Sequence, residues 1–339
     1  MGPLRIWLVG FGTVGRWLAE VLGSHKDRLA DRYGIEVSVV GIATARDGLV
    51  YDEDGLDLTA ALSAPSLTEL PGVTCWPSTI DGLRATEADL LVEVSASPLP
   101  DGEPGISHMR EALGRGIPVV TSNKWPVALR GVELRELARH GGVAFRAEST
   151  VMSGTPVLST LVQGLAGATP IRLRGLLNAT ANHILTDMAG GRTYEEALTE
   201  AQWVGLAERN PAADVEGHDT VAKVMILSAL VFGRQLRHEQ VACTGITGVR
   251  SADIDKAASS GGSLKHVAVL EFEGGGVTAR VEPQLVLDGD RLANVNGSTN
   301  AVVCEASPVG EITVIGPGAG PQLAGQGVLS DLIAVATRS

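Results

Sequence analysis

Residues 4–15 read LRIWLVGFGTVG. A short apolar run ends in Gly10-Phe11-Gly12-Thr13-Val14-Gly15, the pattern G-x-G-x-x-G, and apolar residues then recur at Val14, Leu18 and Val21 with helical spacing. Strand, glycine turn and helix in this order suit a dinucleotide. The glycines permit a tight turn and close approach of the pyrophosphate, and the helix N-terminus attracts its charge. A second apolar run, IEVSVVGIA at 35–43, favours this reading over a plain packing turn at a helix start. The first helical stretch predicts a step near Gly23.

Outward from there, strands are expected at 35–43, 89–96, 117–123 and 143–149, with helices at 105–116 and 129–142. Short alternation of apolar strands and helices predicts an α/β layer on a mostly parallel sheet. After about residue 150 the pattern changes. A helix is expected over 155–167, the longest apolar helix from His218 onward, and strands dominate from 265, which predicts a mixed sheet. The fold class is therefore α/β: a Rossmann-type domain followed by an α+β domain.

The 339 residues are 44% hydrophobic and include 42 glycines, enough apolar material for a large core. A net charge of −12 and 4% aromatics leave no basic stripe with interleaved rings, so no nucleic-acid partner is expected. Cys75, Cys243 and Cys304 are too scattered for a disulfide framework or a metal motif, which fits a reducing, cytoplasmic setting. No apolar run is long enough to span a membrane, and no leader-like segment opens the chain.

The second strand ends Gly41-Ile42-Ala43-Thr44-Ala45-Arg46-Asp47. Ribose-reading acids stand at such a strand end in NAD sites, and here Asp47 falls a residue late. Thr44 and Arg46 suit a 2′-phosphate instead. NADP is favoured over NAD, with both open.

Residues 208–230, ERNPAADVEGHDTVAKVMILSAL, run from a carboxylate-rich loop into an apolar helix that carries Lys223. Hydride transfer to a carbonyl leaves charge on oxygen, which an ammonium can stabilise and protonate. A lysine among apolar residues needs an anion, and Asp219 stands at i−4 on its own face. A solvated surface pair, worth ~0.3–0.5 kcal/mol, is the bland alternative. Lys124 follows a strand at the carboxyl edge of the sheet, where open α/β sheets bind ligands. The acids lack the loop spacing of a calcium site. His183 and His218 have no partner at metal spacing.

Several blocks share an order: Thr121-Ser122-Asn123-Lys124, AESTVMSGTPV at 147–157, GLLNATANHILTDM at 175–188, EAQWVGLAERNPAADVEGHDTVAK at 200–223, and GPGAG at 316–320. Together they resemble the homoserine dehydrogenase family over essentially the whole chain. The resemblance implies reversible reduction of L-aspartate 4-semialdehyde to L-homoserine with NADH or NADPH, a step toward threonine, methionine and isoleucine, in a homodimer. It implies a nucleotide-binding domain over 1–146, a substrate and dimerisation domain over 147–315, and a segment 316–339 packing back on the first. Lys223, Lys124 and Asp219 correspond to catalytic positions, and Glu208, Asp214, Thr180 and Asn178 to substrate-binding ones. Gly10, Gly12, Thr13, Val14, Gly15, Thr44, Arg46, Ser95, Thr121, Ser122 and Gly318 make up the cofactor set. Glu148, Val151, Ser153 and Thr155 match a monovalent cation site, usually sodium. No further regulatory domain is expected after GPGAG, hence no threonine feedback through one. Three blocks depart from the family pattern: Asn178-Ala179-Thr180-Ala181-Asn182, Val151-Met152-Ser153-Gly154-Thr155-Pro156 and Leu206-Ala207-Glu208-Arg209-Asn210-Pro211. Ala179 would sit badly if a positive φ were needed there, and Met152 fills space that glycine would leave. Another amino-acid-derived aldehyde or hydroxy acid therefore stays open as the substrate.

Overall fold

Two hydrophobic faces organise the chain into two units, Met1–Gly154 with Gly320–Ser339, and Thr155–Ala319. The computed structural model describes residues 2–337.

In the first unit the order is β1 (Leu4–Val9), α1 (Thr13–Ser24), α2 (Lys26–Tyr33), β2 (Val37–Thr44), β3 (Gly48–Tyr51), α3 (Leu58–Ser63), β4 (Thr74–Trp76), α4 (Thr79–Ala85), β5 (Leu90–Glu93), α5 (Gly105–Gly114), β6 (Val119–Thr121), α6 (Lys124–Gly141), β7 (Phe145–Arg146) and α7 (Ser149–Met152). The sheet runs β4-β3-β2-β1-β5-β6-β7. Its strands from β2 to β7 are parallel, while β3 and β4 add an antiparallel edge. Strand order reverses between β1 and β5, which opens a crevice at their carboxyl ends, the usual ligand position in such sheets. Ile6, Trp7 and Leu8 of β1 are fully buried, as are Leu90, Leu91 and Val92 of β5. That is why these strands read as continuous apolar runs.

The second unit has a π-helical turn (Ser159–Gly164), β8 (Thr169–Leu176), α8 (Ala179–Ala189), α9 (Tyr194–Trp203), α10 (Ala212–Val215), α11 (His218–Leu230), β9 (Val241–Cys243), α12 (Ser251–Ser259), β10 (Gly262–Glu273), β11 (Gly276–Leu287), β12 (Thr299–Ser307) and β13 (Gly310–Pro317). The sheet order is β13-β12-β8-β10-β11-β9. All pairings are antiparallel except β9 beside β11, so the sheet is mixed. Every residue of α11 from Thr220 to Leu230 is buried, as expected of a helix that is apolar all round. Helix α13 (Pro321–Ala336) closes the chain within the first unit. A Cβ at Gly325 would lie 2.1 Å from the Trp17 ring, so α13 lies close on α1.

Several boundaries differ from expectation. The first helix breaks at His25 rather than Gly23. The strand expected over 143–149 shortens to Phe145–Arg146, because α7 begins at Ser149 and the Ser149 hydroxyl donates to Ala324 O of α13 at 2.6 Å. That contact carries the first unit to Gly154, beyond 146. The 316–339 segment divides: β13 pairs with β12 as far as Pro317, leaving Gly318 with the second unit, while Gly320 onward joins the first. The helix expected from 129 begins at Lys124, with Pro126 in its first turn, where the missing N–H costs nothing. The 155–167 helix shortens to residues 157–164, of which Ser159–Gly164 are π-helical.

Candidate active site

The cleft at the reversal point of the first sheet has a volume of about 780 Å³. Gly10, Gly12, Thr13, Val14, Thr44, Arg46 and Ser95, all expected on cofactor, line it. Gly10 has φ +102, and a Cβ there would strike Ser95 N at 2.5 Å. Gly15 lies so close under the turn that a Cβ would meet Gly10 O at 2.0 Å. At Gly12 a Cβ would meet nothing within 4 Å, so the turn is open where a pyrophosphate approaches. The residues present therefore fit a dinucleotide, whose pyrophosphate the positive end of α1 would hold.

Thr121 does not line the cleft. It is fully buried, its hydroxyl donates to Glu93 O at 2.7 Å and it accepts from Asn123 N at 2.9 Å. Its side chain is engaged in holding the two strand ends together. Ser122 is half-buried beside it, and its N–H donates to Glu93 O at 3.3 Å. Gly318 lies in the second unit, where a Cβ would collide with the Asn300 amide at 2.0 Å. Its lack of a side chain serves packing against β12.

Asp47, placed one residue late by the sequence, lines the cleft and ties together its neighbours after β2. It accepts from Thr44 at 3.1 Å, from Ser66 at 2.9 Å and from Arg46 at 3.1 Å. Desolvation opposes its charge, yet bonds from Arg46, Ser66, Thr44 and the Leu67 backbone hold its carboxyl below the usual range. Arg46 donates also to Pro65 O at 2.6 Å. Arg46 is thus already paired rather than waiting as a bare phosphate receptor, because the turn after β2 folds the neighbouring acid beneath it.

The second unit holds a compact polar cluster. Lys223 Nζ lies 2.9 Å from Asp219 Oδ2 and donates to Leu177 O at 2.5 Å. Its side chain is 8% exposed and that of Asp219 15%, so water screens the pair little. Asn178 caps α8, its Oδ1 accepting from Ala181 N at 2.8 Å, while its Nδ2 donates to Asp214 at 2.7 Å and Asp219 at 3.3 Å. Thr180 donates to Asp214 at 3.2 Å. Gly217, with φ +86, joins α10 to α11 and lets Asp214 and Asp219 converge. A Cβ there would meet Cys243 Sγ at 2.8 Å. Lys223, Asp219, Asp214, Asn178 and Thr180 thus form one bonded set.

Glu208 stands apart. It is exposed, its backbone carbonyl accepts from Gln202 at 3.2 Å, and among the described residues no hydrogen bond ties its carboxylate to the set. Ala179 is the first residue of α8, and Ser153 is the only described non-glycine residue with positive φ. Alanine is therefore unstrained at 179, contrary to the expectation of a narrowed backbone. Met152 is fully buried.

Of the residues expected to hold a cation, Glu148 and Val151 are buried and Ser153 has φ +51. Glu148 N donates to Asp331 Oδ2 at 2.8 Å, and Arg146 lies 3.4 Å from Asp331. Burial, with the nearby Glu148 charge, pushes the Asp331 carboxyl up to about 6. Thr155, in the second unit, donates to Pro317 O at 2.9 Å. No group of three or more His, Cys, Asp or Glu among the described residues is placed to hold a metal ion.

Sequence profiles match both parts of the chain. One described as homoserine dehydrogenase matches residues 156–333, and one described as homoserine dehydrogenase, NAD binding domain, matches 10–148. The chain belongs to the homoserine dehydrogenase family. It is 38% identical over 338 residues to an NAD(+)-dependent homoserine dehydrogenase of Pseudomonas canavaninivorans, covering 98% of this chain and 96% of that one. It is 37% identical to a homoserine dehydrogenase of Methanocaldococcus jannaschii, covering 97% and 98%. Among solved structures, a hyperthermophilic archaeal homoserine dehydrogenase in complex with NADPH superimposes with a TM-score of 0.81 at 30% identity, covering 100% of this chain and 99% of that one. One from Thiobacillus denitrificans gives 0.82 at 32%, covering 99% and 74%. The fold is that of the homoserine dehydrogenase family, a Rossmann-like domain with an α+β domain, and the chain is an NAD(P)-dependent dehydrogenase.

Two charged residues escaped the sequence reading. Glu93 is fully buried at the end of β5, and Lys265 is 2% exposed on β10. Lys265 donates to Val295 O and Asn296 Oδ1, each at 2.7 Å, and burial lowers its pKa to about 8. The signal for both was a charge inside an apolar strand, DLLVEVSA and KHVAVLEF.

Proposed function

We propose that this chain catalyses reversible hydride transfer between NAD(P)H and L-aspartate 4-semialdehyde, giving L-homoserine, with Lys223 delivering the proton to the reacting oxygen. The observation that carries this reading is the buried Lys223–Asp219 pair inside the Asn178–Asp214–Thr180 network. The cofactor supplies the hydride. As charge develops on the carbonyl oxygen, the Lys223 ammonium stabilises it and gives up a proton, while Asp219 keeps the ammonium oriented. Lys124, first residue of α6 at the carboxyl edge of the first sheet, is the second catalytic lysine of this reading. Asp214 and Asp219, with Glu208 closing from its exposed loop, hold the substrate ammonium, and Asn178 and Thr180 fix the acid geometry.

Both cofactors are used. Arg46 takes the 2′-phosphate of NADP, and Asp47 beside it tempers that preference by partly neutralising the guanidinium. A monovalent cation such as sodium sits with Glu148, Val151, Ser153 and Thr155. The buried carboxylate of Glu148, and the turn at Ser153 with φ +51, support it. The active form is a homodimer, with the second unit supplying the interface. The exposed Leu285, Leu287, Val309 and Ile315 on its sheet strands and their turns support this. The three cysteines are free, and no described helix is long and apolar enough to cross a membrane, which supports a cytoplasmic enzyme.

Purified protein should oxidise L-homoserine with NADP or NAD. The buried alanines at 179 and 181 favour a second reading, a different amino-acid-derived aldehyde or hydroxy acid. Turnover of such a compound with none of homoserine would establish that reading instead.

A further inference from the structure

Glu93 is the last residue of β5 and wholly buried. An ionised carboxylate so placed requires donors, and each one present comes from a segment that shapes the cofactor cleft or leads into Lys124. Oε1 accepts from Ser95, which lines the cleft, and lies 3.7 Å from His108 Nδ1, whose ring also lines it. Oε2 accepts from Asn123 Nδ2 at 3.0 Å.

Asn123 occupies the N-cap of α6, directly before Lys124, a position where asparagine ordinarily bonds the first free N–H groups of the helix. It makes no such cap bond. Its amide instead donates to Glu93 and, at 2.8 Å, to Ser97 Oγ, which accepts in turn from Gly105 N at 3.0 Å. The capping bond is forgone so that the start of α6 is tied to β5 and to the loop after it. Thr121 doubles the tie through Glu93 O.

We propose that Glu93 is a positioning residue for Lys124. Through Asn123 it fixes where α6 begins, and through Ser95 it locks that start to the wall of the cofactor cleft. This rests on the role assigned to Lys124 above. Misplacement of a reacting group by about 1 Å costs on the order of 10²-fold in rate, so loosening this tie acts on kcat.

A thermodynamic cycle between Glu93 and Lys124 tests it, using homoserine oxidation by the full-length protein. Glu93→Ala should lower kcat by ~10-fold or more, and Asn123→Ala, a second route to the same break, should do likewise in protein that still melts cooperatively. Glu93→Gln keeps an acceptor for Asn123 and a partner for Ser95, and should stay within about threefold of wild type. In a Lys124→Met background, adding Glu93→Ala or Asn123→Ala should change kcat by less than about threefold, because their effect runs through the lost ammonium. Full additivity in that background would overturn the proposal, since a general structural role does not depend on Lys124. Wild-type kcat in Asn123→Ala, with Asn123→Ala folded, would overturn it as well. Wild-type kcat in Lys124→Met alone would instead overturn the role given to Lys124.

Discussion

Lys223 Nζ stands 2.9 Å from Asp219 Oδ2, one turn earlier on α11, and 2.5 Å from the carbonyl oxygen of Leu177. A carboxylate and a carbonyl thus fix the ammonium in place, the orientation that the proposed proton donor needs. Lys223→Met should therefore reduce kcat for homoserine oxidation by ~10²–10⁴-fold, the range for a lost general acid or base. Removal of the ammonium also takes away the cationic partner of Asp219, which keeps the Asn178 amide, at a cost of about 3 kcal/mol or more. Denaturant titration alongside steady-state kinetics separates the two effects. A Lys223→Met protein with wild-type kcat would end the assignment.

Asn178 is the joint between helix α8 and both acids. Asn178→Asp keeps the oxygen that caps the helix but replaces the amide donor with a third carboxylate facing Asp214 and Asp219. Like charges at this separation repel. The variant should be destabilised at neutral pH and recover on acidification, as one acid takes up a proton. Asn178→Ala should instead show a loss of about 1 kcal/mol for the cap with a flatter pH dependence. Melting temperatures across pH 5–8 distinguish these.

At the end of the cleft beside Thr44, Arg46→Ala should lower kcat/KM for NADP by ~10-fold while changing that for NAD by less than about threefold, since only NADP offers a 2′-phosphate to the guanidinium. Asp47→Asn should move the ratio toward NADP by removing the opposing charge. Equal effects of Arg46→Ala on both cofactors would show that Arg46 does not discriminate.

Lys265 predicts a pH effect of its own. Burial lowers its folded pKa from 10.5 to about 8, so between those values the unfolded chain holds more of the proton than the folded one. Stability contributed by this group then rises with pH across that window, and the burial penalty is at its full extent below pH 8. Lys265→Met should abolish that rise and take the ammonium donor from Asn296 Oδ1, while Val295 O keeps its bond from Asn182. Urea midpoints at pH 7.5 and 10 test both.

What the sequence disclosed follows local rules. The glycine turn after β1 and the carboxylates leading into α11 were legible because backbone freedom and charge among apolar residues are visible one residue at a time. The start of α6 was not, because Lys124, Trp125 and Pro126 carry no helix signal and the helix is set by Asn123 and Glu93, 30 residues apart. Asp47 was misjudged by one residue, since only the folded turn shows its oxygens under Thr44, Ser66 and Arg46. The exposure of Glu208 and the inward bonding of Thr121 likewise depend on neighbours distant in the chain.

The two buried lysines also bear on how this protein can change. Lys223 grips the carbonyl just before α8, and Lys265 reaches Asn182 in the first turn of the same helix, with Lys265 and Asn182 both also bonding the carbonyl of Val295. Helix α8 has little slack at either point. Laboratory evolution toward a bulkier or smaller amino alcohol will accordingly find its gains in side-chain swaps on that helix, Ala179 and Ala181 foremost. Insertions or deletions nearby should be selected against, because either would slide the helix off both of its ammonium anchors at once.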